Sequence, residues 1–260
     1  MKHKSNQQTI TNFEKLVQLV KILRSEDGCD WDKIQTSDSL IPYFIEEVYE
    51  LVDSIDNKDH KNTKEELGDI MLHLVFQAQL LNEKGSYTIN DVLENINTKL
   101  VDRHPHVFNK KSQPTTSKIS WESQKHLEKE RKSRLDGVPN ILPSIIFSQR
   151  IQEKASLAGF DWDCIEDVWS KIEEEMNELK IAQRENDLDN IYEEIGDFLF
   201  TIINLSRHLG ISAENALRKS NRKFIRRFQL LEHEISILNK TIDKCSSEDL
   251  NRLWDKIKNK

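Results

Sequence analysis

The stretch EEVYELVDSIDNKDHKNTKEELGDIMLHLVFQAQLL, residues 46–81, decides the fold because the chain contains it twice. Residues 174–209, EEMNELKIAQRENDLDNIYEEIGDFLFTIINLSRHL, align with it without a gap at an offset of 128. Eleven of the thirty-six positions are identical. Six of these are acidic residues in two clusters, and one is the Gly inside the second cluster. The flanks repeat with small shifts. Asp30-Trp31-Asp32 precedes the first copy and Asp161-Trp162-Asp163 the second. Asn97, Lys99 and Arg103 follow the first with the spacing of Asn221, Lys223 and Arg227 after the second. One unit duplicated within the chain is the simplest account.

Both copies carry the helical period. Leu67, Ile70, Met71, Leu74, Val75 and Ala78 form one apolar stripe over 64–81, and Ile191, Ile195, Phe198, Leu199, Ile202 and Leu205 form another over 191–205. Further helices are expected over 11–25, 38–56, 89–103, 143–158, 165–184, 212–239 and 247–258. No convincing period-2 strand is present. The fold class is therefore all-α, two tandem bundles of antiparallel helices. HPHVFNKKSQPTTSK (104–118) is the best linker candidate, and WESQKHLEKERKSRL (121–135) reads as a solvated connecting helix. The expected domains are 1–110, a linker with connecting helix over 111–137, and 138–260.

Composition excludes other classes. With 7 Gly and 5 Pro in 260 residues, turn-rich β-sandwiches and Gly-rich nucleotide folds are disfavoured. No apolar run is long enough to span a membrane, and the basic N-terminus has no apolar stretch behind it, so neither a span nor a secretory signal is expected. Cys29, Cys164 and Cys245 have no metal-ligand spacing and are odd in number, which suits a reducing cytoplasm. A net charge of −7 argues against a general nucleic-acid binder.

The chemistry lies in the acids. Glu46-Glu47-x-x-Glu50 is followed by Glu66-x-x-Asp69, and Glu174-Glu175-x-x-Glu178 by Glu194-x-x-Asp197. Residues three apart share a helix face, about 5–6 Å between Cβ atoms. Two such helices packed antiparallel bring four carboxylates together, and hard divalent cations with oxygen ligands relieve their repulsion. A single EExxE reads more simply as a solvated acidic face. Three features argue for a site. The acids border the apolar stripe, the pattern recurs with an identical gap between clusters, and Gly68 and Gly196 occupy helix interiors where Gly is unfavourable. A Gly in the same slot of both copies predicts close approach by a backbone or ligand. Thr63-x-x-Glu66 also fits a capping box, which would turn Glu66 back on the backbone. Glu174 faces away from Glu175 and serves either as a second-metal bridge, as a base orienting water, or as surface charge.

Lys223 and Arg227, at i and i+4, suit phosphate oxygens; a basic solvated face is the plainer alternative. Trp254 is either an anchor for the last helix or a stacking platform for a base. Trp31 and Trp162 pack locally or line base pockets. His73, His104 and His106 form no ExxH with the acids, which weakens a ferritin-like di-iron alternative.

The EExxE…ExxD pattern, with GCDWDKIQT (28–36), RHPHVF (103–108), AGFDWD (158–163), EEIGD (193–197) and NRKFIRRF (221–228), resembles the MazG family of nucleoside triphosphate pyrophosphohydrolases, in particular its two-repeat members. The resemblance spans roughly residues 11–258. It implies Mg²⁺-dependent hydrolysis of NTPs and dNTPs to monophosphate and pyrophosphate, and a homodimer. It carries the Mg²⁺ ligands onto Glu175, Glu178, Glu194 and Asp197, and by repeat onto Glu47, Glu50, Glu66 and Asp69. It supports Trp254 as the base platform. It makes the second unit catalytic and the first mainly an assembly unit. A non-catalytic helical interaction module is the alternative from a different class.

Overall fold

The computed structural model describes residues 2–108 and 132–259. The linker and connecting helix expected over 111–137 lie for the most part outside the described residues. Contacts divide the chain into two compact units, within 1–114 and 115–260. Among the described residues every regular element is a helix, so the all-α class holds. No described helix is long and apolar enough to cross a membrane.

The first unit contains α1 (Lys2–Leu23), α2 (Asp30–Ile34), α3 (Ile41–Asp56), α4 (His60–Glu83), α5 (Ile89–Arg103) and α6 (Pro105–Phe108). Its core is Val20, Leu40, Val75, Phe76 and Leu80, with Phe13, Leu16, Val17 and Leu72 packed around them. Apolar spacing located α3, α4 and α5 to within a few residues. It missed the first nine residues of α1, where KHKSNQQTI has no apolar period, and the short α2 and α6. Gly28 closes the end of α1. Its N–H donates to Ser25 O, and a Cβ there would lie 2.2 Å from Leu23 O, so only Gly fits the turn.

The second unit contains α7 (Ser144–Leu157), α8 (Ile165–Glu185), α9 (Leu188–His208), α10 (Ala213–Ile237), a 3₁₀ turn (Ile242–Lys244) and α11 (Ser247–Lys258). Val168, Ile172 and Leu205 form the core between α8 and α9, flanked by Ile165, Phe198 and Ile202. Leu231, Ile235 and Ile257 form a second core between α10 and α11.

The duplicated segment is in each unit a helical hairpin, α3–α4 and α8–α9, with the two helices packed on each other. Each second helix starts at the same repeated residue. Asp59 accepts from the N–H groups of Lys61 and Asn62, and Asp187 from that of Asn190. A capping carboxylate satisfies N–H groups that a helix start leaves without partners. The capping box that Thr63-x-x-Glu66 would fit does not form, because the helix has already begun one turn earlier, at Asp59. Thr63 Oγ1 donates instead to Asp59 O at 2.7 Å. Glu66 is thereby left to point at the facing helix.

Candidate active site

Facing helices bring the repeated acids together in both units. Glu175 on α8 and Glu194 and Asp197 on α9 have carboxylate oxygens within 4.8 Å of one another. Glu47 on α3 and Glu66 and Asp69 on α4 do the same. Glu178 and Glu50 stand outside these trios and are exposed, yet both are near enough to act by charge on Glu194 and Glu66 respectively. Gly68 and Gly196 correct an expectation. A Cβ at either position would meet nothing within 4 Å, so no neighbouring backbone within the unit requires the Gly.

Such crowding disfavours ionisation. Glu194 is pushed above the usual carboxylate range by burial and by the charges of Glu178, Glu175 and Asp197. In the first unit Glu47 and Glu66 share a hydrogen bond, and both are pushed up, first by burial and then by neighbouring acids. Three oxygen donors this close, with like charge, fit a hard divalent cation in chemistry and number.

The second unit adds a cation of its own. Lys171 Nζ lies 2.8 Å from a carboxylate oxygen of Glu174 and 2.8 Å from one of Glu175. Glu175 is buried, its side chain 6% exposed, so this partner offsets the cost of its charge. Glu174, and next Glu175, hold Lys171 well above the usual lysine range. Glu174 is therefore tethered to Lys171 and not free on the surface. Lys171 escaped the sequence reading, although its i, i+3 and i, i+4 spacing to the two acids was a usable signal. Tyr43 holds the corresponding place in the first copy, edge-on to Trp31 at 6.0 Å between ring centroids.

A cavity of about 450 Å³ opens beside these acids. Glu175, Asp197 and Lys171 line one part; Phe160, Trp162, Ile151 and Ala155 supply apolar lining. The Asp161-Trp162 segment is fixed by a local network. Arg207 grips the Asp161 carboxylate with both Nη atoms, and Ser156 Oγ donates to it at 2.6 Å. Against the upward push of burial, these bonds hold Asp161 far below its ordinary value. Asp161 and Arg207 are positioning groups; the sequence shows Asp161 only as part of the repeated Asp-Trp-Asp and does not single out Arg207.

Of the other predicted residues, Lys223 is exposed and Arg227 half-buried on α10, and neither lines this cavity. Trp254 packs against the Leu231, Ile235 and Ile257 core, its ring 5.5 Å from that of Phe224. That is the anchoring contact for α11. Trp31 is half exposed. His73 packs on Phe44, with centroids 5.8 Å apart, and takes no part in the acidic trio.

Comparison with known proteins matches this arrangement. The profile of the MazG nucleotide pyrophosphohydrolase domain fits residues 35–108 and 165–230, one segment in each unit. The chain belongs to the MazG family. It is 46% identical over 248 residues to the nucleoside triphosphate pyrophosphohydrolase/pyrophosphatase MazG of Thermotoga maritima, covering 95% of each chain. It is 37% identical over 257 residues to the nucleoside triphosphate pyrophosphohydrolase of Escherichia coli K12, covering 96% of this chain and 98% of that one. The uncharacterized protein YabN of Bacillus subtilis is 39% identical over 251 residues, which make up 95% of this chain and 51% of YabN. Both family segments contain a complete acidic hairpin, so the two helical units are MazG-type copies in tandem.

Proposed function

We infer that this protein is a nucleoside triphosphate pyrophosphohydrolase that cleaves between the α and β phosphates, releasing a monophosphate and pyrophosphate. Substrates are NTPs and dNTPs of broad base range, the metal is Mg²⁺, and the working unit is the second. The carrying observation is that Glu175 and Asp197 border the same cavity as Phe160 and Trp162. A nucleotide whose base lies against the aromatic groups can extend its phosphates toward the acids. The names of the Thermotoga and Escherichia relatives support the reaction class.

In this reading Glu175, Glu178, Glu194 and Asp197 hold Mg²⁺. Bound there, the ion supplies Lewis acidity toward phosphoryl oxygens and a more acidic water. The chain's own groups do the rest. Trp162 and Phe160 flank the base and shield it from solvent. Lys171 neutralises Glu175 before substrate arrives and turns to a phosphate oxygen once a nucleotide enters the cavity it lines. Its departure frees Glu174 to orient water as a base. Lys223 and Arg227 balance polyphosphate charge from α10, and Trp254 is retained as a second aromatic contact to the base.

A homodimer is part of the proposal. Leu67, Met71 and Leu74 on α4 and Ile195 and Leu199 on α9 are exposed apolar side chains, the surface a second copy would cover. The acids Glu47, Glu50, Glu66 and Asp69 form a second metal set without a catalytic role. The domain limits 1–110, 111–137 and 138–260 and a cytoplasmic setting belong to the same reading, with neither nucleic acid nor membrane as partner. The test is direct. The protein is incubated with each NTP and dNTP plus Mg²⁺, and NMP, NDP, pyrophosphate and phosphate are resolved at early times. NMP with pyrophosphate is expected; NDP with orthophosphate as first products overturns the bond assignment.

A further inference from the structure

Glu175 has two claims on its charge. A carboxylate oxygen of Glu175 lies within 4.8 Å of oxygens of Glu194 and Asp197, the trio whose chemistry fits a divalent cation. A carboxylate oxygen of the same residue also lies 2.8 Å from Lys171 Nζ, which stands 2.8 Å from Glu174 as well. Helix geometry sets both pairs, since Glu174 and Glu175 follow Lys171 by three and four residues on α8. The ammonium is thus brought to the acids by its own helix.

Glu175 is the buried acid of the trio, its side chain 6% exposed, so solvent and salt screen the charges beside it weakly. An ammonium and a divalent cation beside one buried carboxylate repel each other, and that carboxylate cannot neutralise both. Lys171, Glu175 and Asp197 line one cavity, so a polyphosphate entering it meets the ammonium together with the acids. Lysine is a compact charge on a flexible stem and can exchange a carboxylate for a phosphate. The first unit has no such competitor at this place, where uncharged Tyr43 stands for Lys171.

We propose that Lys171 is a built-in counter-cation that competes with the divalent cation for Glu175, so that the second unit takes up its metal weakly until nucleotide phosphates draw Lys171 away. The inference rests on reading the cavity as the nucleotide site. It couples the two ligands through a residue of the chain, in addition to any contact between phosphate and metal. By linkage, each ligand then raises the affinity of the other. With neither ligand present, Glu175 keeps a partner, which offsets the cost of its buried charge.

The test reads metal affinity and needs no turnover. Glu47→Gln with Asp69→Ala silences the first trio and gives the parent chain. Mn²⁺ binding is followed by electron paramagnetic resonance, with and without the α,β-methylene analogue of ATP. Lys171→Met in this parent should tighten Mn²⁺ binding without nucleotide about 5- to 150-fold, the range of an ordinary coupling energy, and should shrink the further gain that the analogue brings. Lys171→Arg keeps the charge and should bind Mn²⁺ alone as weakly as the parent. Thermal melts establish that each variant is folded. A second measurement uses the unsubstituted chain. Its Lys171 side-chain resonance, assigned by its loss in Lys171→Arg, should hold its place with Mg²⁺ alone and shift when the analogue is added at the same Mg²⁺ concentration. Unchanged Mn²⁺ affinity in a folded Lys171→Met variant overturns the inference, and so does a resonance that shifts fully with Mg²⁺ alone. Equal tightening by Lys171→Arg overturns it too, since charge would not be the cause. In each of these cases pyrophosphate release by the wild type leaves the functional reading in place. If no nucleotide is hydrolysed, that reading falls and takes the nucleotide-driven step with it.

Discussion

The two acidic hairpins are copies, yet they handle the same charge in different ways. In the first unit Glu47 and Glu66 lean on each other through a shared hydrogen bond, and burial and crowding make both harder to ionise. In the second, Lys171 pairs with Glu174 and Glu175. The second trio also borders a cavity with Trp162 and Phe160 in its lining. A cavity of the first unit lies among Ile10, Phe13, Val17, Met71, Ile89 and Leu93, and Glu47, Glu66 and Asp69 do not line it. The acidic trio is therefore duplicated, whereas the second copy's trio has acids in the lining of an aromatic cavity, which in the proposed function holds the rest of the substrate. Catalysis needs both, since binding energy away from the reacting atoms is what positions them.

The sharpest way to break this asymmetry is to remove acids from one hairpin at a time. Glu178→Ala or Asp197→Ala should lower pyrophosphate release roughly a thousandfold, the range found when a group that stabilises developing charge is lost. Glu50→Ala or Asp69→Ala should leave most turnover intact. Thermal melts of all four variants separate lost chemistry from lost fold. Activity that dies with the first pair of acids and survives loss of the second would put the active site in the other unit.

The repeated Trp residues sharpen the comparison at a smaller scale. Trp162→Ala should weaken substrate affinity by about 1–3 kcal/mol, the usual worth of an aromatic platform under a base, with kcat changed less. Trp31→Ala, at the equivalent place beside Tyr43, should leave KM where it was. Trp254→Ala is the informative third variant. If it lowers the melting temperature and leaves KM unchanged, the residue is an anchor alone, as its packing on Leu231 and Ile257 favours. A raised KM with an unchanged melt restores it as a base contact.

Much of this was legible because duplication repeats a pattern. The stripes Leu67 to Ala78 and Ile191 to Leu205 located the hairpins, and the ExxD acids located the point where they converge. Asp59 and Asp187 are identical in both copies for a backbone reason, as caps, which a search for metal ligands passes over. What stayed hidden depends on tertiary packing. Gln152 and Arg207 are ordinary polar residues in the sequence. Only the packing of α7 on α9, and of the Asp161 segment on Arg207, turns them into parts of a cavity. Gly68 and Gly196 were legible as unusual, but the expected backbone contact is not there, and nothing within either unit explains them.

The smallest expected effect concerns protons. Glu47, Glu66 and Glu194 all have folded-state values above the ordinary 4.5. For an acid raised in this way, the native state holds a proton that the unfolded chain has already released. Between 4.5 and the raised values the unfolded state thus binds fewer protons, and stability falls as pH rises. Asp161 has the opposite sign, but its window lies below its ordinary 3.8 and does not overlap. The metal-free protein should therefore lose melting temperature as pH rises above the ordinary 4.5 and level off once the acids are ionised. Mg²⁺ must displace those protons to bind, so the stabilisation it gives should grow over the same range. Glu47→Gln removes one member of the coupled pair and should flatten the metal-free slope more than Glu194→Gln, because two of the three raised acids sit in the first unit. The Mg²⁺-dependent gain then reports which hairpin is filled. A gain abolished by Glu194→Gln and untouched by Glu47→Gln would mean that the first trio keeps its protons and binds no metal, leaving charge management as its only inheritance from the shared ancestor.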